Sequence, residues 1–216
     1  MCGRFALHAR PEVIALQFGL AQPPQLAPRY NVAPGSAVLA VRAARDGAPQ
    51  AAHPRWGLVP HWARDPAIGA RVINARAETV ATRPSFRDAY RSRRCLIPAS
   101  GFYEWQGARG RRQPYYIHPA RGELFAFAAL WERGQDLQTF AIVTTGANAT
   151  MSAIHERMPV ILEPADYARW LDCRAPAAVD DLLRPCDPAA IALRRVGREV
   201  NDARNESPQL IEPGAA

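Results

Sequence analysis

The chain has 216 residues, 48% of them hydrophobic and 22% charged, enough apolar material for a substantial core and too much for a disordered segment. All 27 basic residues are arginines, and residues 1–121 hold 18 of them against six acidic residues, so the first half suits a phosphate-rich partner and argues against a cationic one. The longest strongly apolar run, residues 124–131, is far short of the ~20 residues of a membrane span, and the four cysteines form no CxxC pair of the kind a zinc site uses.

The missing lysine also fits a GC-rich coding bias, which the many Ala and Pro residues share; the uneven placement of charge is the more informative feature. Arg4, His8, Arg10 and Glu12 stand where an export signal needs an apolar stretch. A cytoplasmic protein with reduced thiols is therefore expected.

In chain order, residues 11–18 predict a short helix, with Pro11 in its first turn and Gly19 as its stop. The proline-rich stretch 21–34 predicts a loop, 37–41 a strand ended by Arg45-Asp46-Gly47, and 53–73 a second loop-rich segment. Residues 85–92 predict a helix after Pro84. Strands are predicted at 95–98, 102–105, 115–118, 124–131 and 139–145, then at 158–162 and 191–196. Between the last two, 165–171 and 177–183 predict helices, each directly after a proline. Many short strands, few helices and no strand–helix alternation predict an α+β fold. It would be one domain over residues 1–216, with a curved, largely antiparallel, barrel-like sheet and peripheral helices.

The chain begins Met1-Cys2-Gly3-Arg4-Phe5. A small second residue normally lets the initiator methionine be removed, which would make Cys2 the N-terminus. Only an N-terminal cysteine carries a free amine and a free thiol on adjacent carbons. The amine can condense with an aldehyde to an imine, and the thiol can then close a five-membered thiazolidine. Schiff-base chemistry needs an unprotonated amine, and an α-amine loses its proton more readily than a lysine by more than two pH units. In a lysine-free chain it is the sole aliphatic amine.

Other segments have both chemical and structural readings. Trp56 and Trp62 lie in a loop-like stretch beside Arg55; exposed rings near arginines can stack unpaired bases, while buried ones are core. In a strand, Asn74, Arg76 and Glu78 would share one side; the same residues could form a helix cap and first turn. Glu104 sits among Phe102, Tyr103 and Trp105, surroundings that suit a general acid–base, or it is an edge-strand carboxylate facing water. His155 and Arg157 precede the 158–162 strand; a lone histidine is more often structural.

Ten short segments in order along the chain resemble the SOS response-associated peptidase (SRAP) family, the abasic-site processing proteins. They are residues 1–5, 29–35 (Arg-Tyr-Asn-Val-Ala-Pro-Gly), 56–62, Asn74-Ala75-Arg76 with Glu78-Thr79, 94–98, 101–105, 113–117, 144–148, 155–159, and Val200-Asn201 with Asn205-Glu206. One departure is minor: Arg111 and Arg112 stand where lysine is common in the family.

The resemblance implies a basic cleft for single-stranded DNA and a Cys2 that becomes the N-terminus and links to an abasic sugar as a thiazolidine. By motif position, Asn74 would orient the amine and the sugar, Glu104 would transfer protons, and His155 would protonate the sugar oxygen and help reverse the crosslink. Arg4, Arg76 and Arg157 would contact phosphates, Asn31 would join the DNA-binding set, and Trp62 would wedge into the base stack. No metal or other cofactor, no membrane and a monomeric protein are implied. The family name implies a peptidase, taken here as loss of Met1. A weak lyase activity is expected, growing when the thiol is removed.

Two rivals come from other classes. An N-terminal-nucleophile amidohydrolase, such as a glutamine amidotransferase, also begins Met-Cys-Gly but usually continues with Ile and glycine-rich segments, where this chain has Arg4-Phe5. A non-catalytic single-strand DNA-binding module would use the arginines and Trp62 and be indifferent to Cys2.

Overall fold

The computed structural model describes residues 2–108, 111–134, 137–174 and 179–214. The chain opens with strand β1 (Phe5–Leu7), helix α1 (Pro11–Phe18) and strands β2 (Arg29–Val32), β3 (Ala40–Ala43), β4 (Pro49–Ala52), β5 (Arg55–Trp56) and β6 (Asn74–Arg76). Helix α2 (Arg87–Ser92) leads into the long strands β7 (Arg94–Ala99), β8 (Gly101–Gln106), β9 (Gln113–Pro119), β10 (Phe125–Arg133) and β11 (Gln138–Gly146). Helix α3 (Ala149–Ser152), strands β12 (Arg157–Pro159) and β13 (Ile161–Leu162), helix α4 (Tyr167–Leu171) and strand β14 (Ile191–Arg195) follow.

The α+β expectation holds, and the pairing is antiparallel except where β5 and β6 run parallel to β11. The expected barrel-like sheet is replaced by two sheets. One has the order β14-β9-β8-β1-β2; the other runs β12-β11-β10-β7-β3-β4, with β13 on β10 and β5 and β6 on β11. Neither order returns on itself, so no closed barrel forms among the described residues. Aromatic rings from both sheets meet between them: Phe5 lies 5.3 Å from Trp56, and Phe102 lies 5.8 Å from Phe127.

The chain crosses from one sheet to the other between β7 and β8, at Ser100 and Gly101. Ser100 Oγ accepts the backbone N–H groups of His8 and Ala9 at 3.0 and 3.1 Å, and Ser100 N–H donates to Ala6 O at 2.7 Å. A side chain on Gly101 would put its Cβ 2.4 Å from the Tyr116 ring and 2.6 Å from Ile117 O, so no larger residue fits. This corner fixes β1, and with it the N-terminal segment.

Helix α1 matches its prediction residue for residue: Pro11 starts it, Gly19 ends it at φ 65°, and Ile14, Ala15 and Phe18 face the core. The segment at 158–162 splits into β12 and β13, and 165–171 begins as a 3-10 turn before α4. The helix predicted at 177–183 lies partly outside the described residues; within them only a 3-10 turn, Asp180–Leu182, forms.

Strands β2 and β5 arise inside the predicted loops 21–34 and 53–73, while at 74–79 both readings hold in part, with strand β6 running into the 3-10 turn Ala77–Thr79. Strand β2 is held on one edge by β1 and on the other by a side chain, since the Glu206 carboxylate accepts the backbone N–H groups of Tyr30 and Asn31. Strand β6 is three residues long and owes its place to β11.

Candidate active site

Cys2 is fully buried. The β1–β8 register pairs Phe5 with Phe102 and Ala6 with Gly101, and Tyr103 N–H donates to Arg4 O at 2.9 Å. Continued by two residues, the same register carries Gly3 and Cys2 alongside Glu104 and Trp105. Glu104 is buried, 3% exposed, so the edge-strand reading of a carboxylate facing water does not apply. Burial, and then the nearby Glu104 charge, push the Cys2 thiol far above the ordinary cysteine range. The thiol is therefore held protonated.

Strand β6 brings Asn74 to the same place. Asn74 Nδ2 donates to Cys2 O at 2.8 Å, while Asn74 Oδ1 is buried and has no hydrogen-bond partner among the described residues. A buried acceptor left unpaired is costly, so one beside the Cys2 backbone suits a donor that arrives with a changed N-terminus or a ligand.

His155 is carried by the turn between α3 and β12. Gln106 Nε2, two residues beyond Glu104, donates to Ala153 O at 2.7 Å and ties that turn to the end of β8. His155 N–H donates to Met151 O at 3.0 Å, and His155 Nδ1 accepts the backbone N–H of Arg157 at 2.9 Å. His155 Nδ1 also lies 3.2 Å from Arg157 O, to which it donates in the other tautomer. Strands β6 and β12 flank opposite edges of β11, with Thr144 opposite both Arg76 and Pro159. Cys2, Asn74, Glu104 and His155 thus come from four segments that the β1–β8 and β11 pairings draw together.

The arginines expected at phosphates differ sharply in their surroundings. Arg76 is exposed. Arg4 is turned inward: Nη1 donates to Asn31 Oδ1 at 2.7 Å and Val200 O at 2.8 Å, and burial lowers the guanidinium's affinity for its proton. Arg157 forms a bidentate pair with Glu78, at 2.6 and 3.0 Å, and also donates to Thr144 O at 2.7 Å.

Asn31 is 1% exposed, and its Nδ2 donates to the carbonyls of Asp202 (3.0 Å) and Asn205 (2.8 Å). It fastens the C-terminal segment to β2 rather than facing outward. The two tryptophans part company: Trp56 is buried with Nε1 donating to Ile73 O at 2.9 Å, whereas Trp62 is 52% exposed. Glu206 and Glu78 received no role from the sequence. Both lie in the family-like segments, and that was the signal available for them.

Among the described residues, no group of three or more His, Cys, Asp or Glu side chains could hold a metal ion, and no helix is long and apolar enough to cross a membrane. All four cysteines are free.

A family model described as SOS response associated peptidase (SRAP) matches residues 1–203, and the chain belongs to that family. It is 41% identical over 224 residues to the abasic site processing protein YoqW of Bacillus subtilis, covering 98% of this chain and 99% of that one. It is 32% identical over 226 residues to the abasic site processing protein YedK of Escherichia coli, covering 99% and 100%. Its fold matches a crystal structure of a protein from Bacteroides thetaiotaomicron with a TM-score of 0.87 at 24% identity, over 99% of this chain and 100% of that one.

Proposed function

We propose that this chain is an abasic-site processing protein. With Met1 removed, Cys2 forms a covalent thiazolidine with the ring-opened sugar of an abasic site in single-stranded DNA. It acts as a monomeric single domain in the cytoplasm and shields the lesion during replication. The observation that carries this reading is the placement of Cys2, bonded through its carbonyl to Asn74 and lying beside the buried carboxylate of Glu104. Relatives covering nearly the whole chain bear the name abasic site processing protein.

Loss of Met1 converts the Cys2 nitrogen from an amide to an amine. That amine attacks the aldehyde at C1′, forming a C–N bond and a carbinolamine. Glu104 moves the protons through which water leaves and the imine forms. Asn74 Oδ1 is placed to accept from the amine. His155 serves the sugar oxygen as the ring opens and closes. The Cys2 sulfur then bonds to the imine carbon and its proton passes to the nitrogen, so the net loss is one water and nothing is oxidised or reduced. An imine alone invites β-elimination and strand cleavage; closing the ring suppresses that step.

A protonated, buried thiol suits a sulfur that adds last. An amidohydrolase would use the same freed amine as the base for its thiol, and crosslinking to an abasic strand separates the two.

The test is a labelled single-stranded abasic oligonucleotide run on a denaturing gel. The protein should form a band that survives heat and SDS, and its intact mass before reaction should lack Met1. Cys2→Ala should lose the stable band yet remain trappable by borohydride through its α-amine. A Cys2→Ala band as stable as the wild type would overturn the thiazolidine.

A further inference from the structure

The bidentate pair between Arg157 and Glu78 has a role that the crosslinking chemistry leaves open. The Arg157 side chain is only 14% exposed, whereas that of Glu78 is 54% exposed. The guanidinium is held from below by Thr144 O at 2.7 Å and Thr144 Oγ1 at 3.4 Å. Its Nη1–Nη2 edge meets both carboxylate oxygens of Glu78. Glu78 sits in the 3-10 turn Ala77–Thr79 that directly follows β6, so its backbone is tied to the strand that carries Arg76. Hydrogen bonds from Arg157 hold the Glu78 carboxyl below the usual carboxylate range, and the charge of Arg76 adds to them. One half-exposed carboxylate thus lies in the fields of two arginines.

A guanidinium fork accepts a carboxylate or a phosphate in the same planar, two-bond geometry. A pair with one partner half in water contributes little net stability, so exchanging one anion for another is nearly neutral. We infer that Glu78 is an internal stand-in for a DNA phosphate: it occupies Arg157 in the protein alone and gives way to a phosphodiester when a single strand enters. The proposal rests on single-stranded DNA being the partner. Its consequence is a specificity device. The affinity for every strand, damaged or not, is lowered by the displaced carboxylate, and retention is left to the covalent step. The Arg157 N–H that feeds His155 Nδ1 is a backbone group, so the side-chain exchange leaves that contact in place.

The experiment measures anisotropy of a labelled, undamaged oligonucleotide, so that no crosslink contributes. Glu78→Gln keeps the shape and removes the charge; it should bind about two- to fivefold more tightly than the wild type. Glu78→Asp keeps the charge but draws the carboxylate back by one methylene, and it should bind more tightly too, by a smaller factor. In an Arg157→Gln background the gain from Glu78→Gln should vanish. A gain for Glu78→Gln that is absent in Glu78→Asp, or that persists without Arg157, would reduce Glu78 to a repulsive charge and overturn the proposal. So would unchanged or weaker binding of both variants, with melting curves confirming that they are folded. Crosslinking of the same proteins to an abasic strand is read separately. If the wild type fails to crosslink, the thiazolidine falls while the exchange is still decided by anisotropy.

Discussion

The residues around Cys2 and those around Trp62, Arg76 and Glu78 differ in their access to water. Cys2 is fully buried, Glu104 is 3% exposed, and Asn74 keeps an unsatisfied buried acceptor beside the Cys2 backbone. Trp62 and Arg76 are exposed, and the Glu78 carboxylate is more than half exposed. A dry centre makes each polar group strong and each error costly. A wet rim makes each contact weak, screened and exchangeable. On the proposed function, Cys2 and Glu104 belong to the first kind and Trp62 and Arg76 to the second, so substitutions in the two regions should differ in size and in what they change.

The largest effect is expected in the centre. Glu104→Gln keeps the shape of the side chain and removes its capacity to carry a proton. It should slow crosslink formation and lyase activity together, by the ~10²–10⁴-fold typical of a lost general acid–base. His155→Ala should act on a different observable. A group that assists ring opening must also assist closure, so the variant should release a preformed crosslink more slowly while final yield stays near normal. A chase with excess unlabelled abasic strand follows this directly. Normal formation in Glu104→Gln together with normal release in His155→Ala would leave both residues structural.

The two tryptophans sharpen the comparison within one seven-residue span. Trp56→Ala empties a site between the sheets, removes ring contacts with Phe5 and Phe140 and takes away one of the two hydrogen bonds to the Ile73 carbonyl; it should cost ~3–5 kcal/mol of stability. Trp62→Ala should leave thermal stability unchanged and weaken single-strand binding by roughly 1–3 kcal/mol, the worth of one stacked base. Equal losses of stability in the two variants would remove the distinction between core and rim.

Nothing in the sequence separates these rings, since both lie in one aromatic, proline-bounded stretch. Burial is decided by pairing: Trp56 is in β5, opposite Phe140 of β11, whereas Trp62 lies beyond the end of that strand. The same holds for the arginines. Arg4 and Arg76 look alike in sequence, yet β1 turns Arg4 toward Asn31 and the Val200 carbonyl. The long strands and α1 were legible because their periodicity and end residues act locally. Strands β2 and β5 were not, because their partners, Glu206 and β11, are remote in sequence and the segments themselves lack β-branched residues beyond Val32. Asn31 shows the same limit: a motif marks a residue without saying what its side chain will bond to, here the Asp202 and Asn205 carbonyls.

The smallest effect is expected for Arg76→Ala. Its guanidinium is exposed and, among the described residues, no side-chain hydrogen bond or ion pair holds it, so the folded state should lose little when it goes. The contact it would make is with a phosphate, in water, at one position along a flexible strand. Such a contact carries no base information, so the loss of affinity should be the same for strands of different sequence. It should also appear as a shallower dependence on salt, with the log–log slope falling by roughly 0.7 for one phosphate contact on a single strand. Titrations of undamaged oligonucleotides of two base compositions, each over a range of salt, measure both quantities. A loss confined to one composition would assign Arg76 to base reading. An unchanged slope would place it outside the strand's path and leave Arg157, once Glu78 has moved away, as the arginine that meets the backbone beside the reacting sugar.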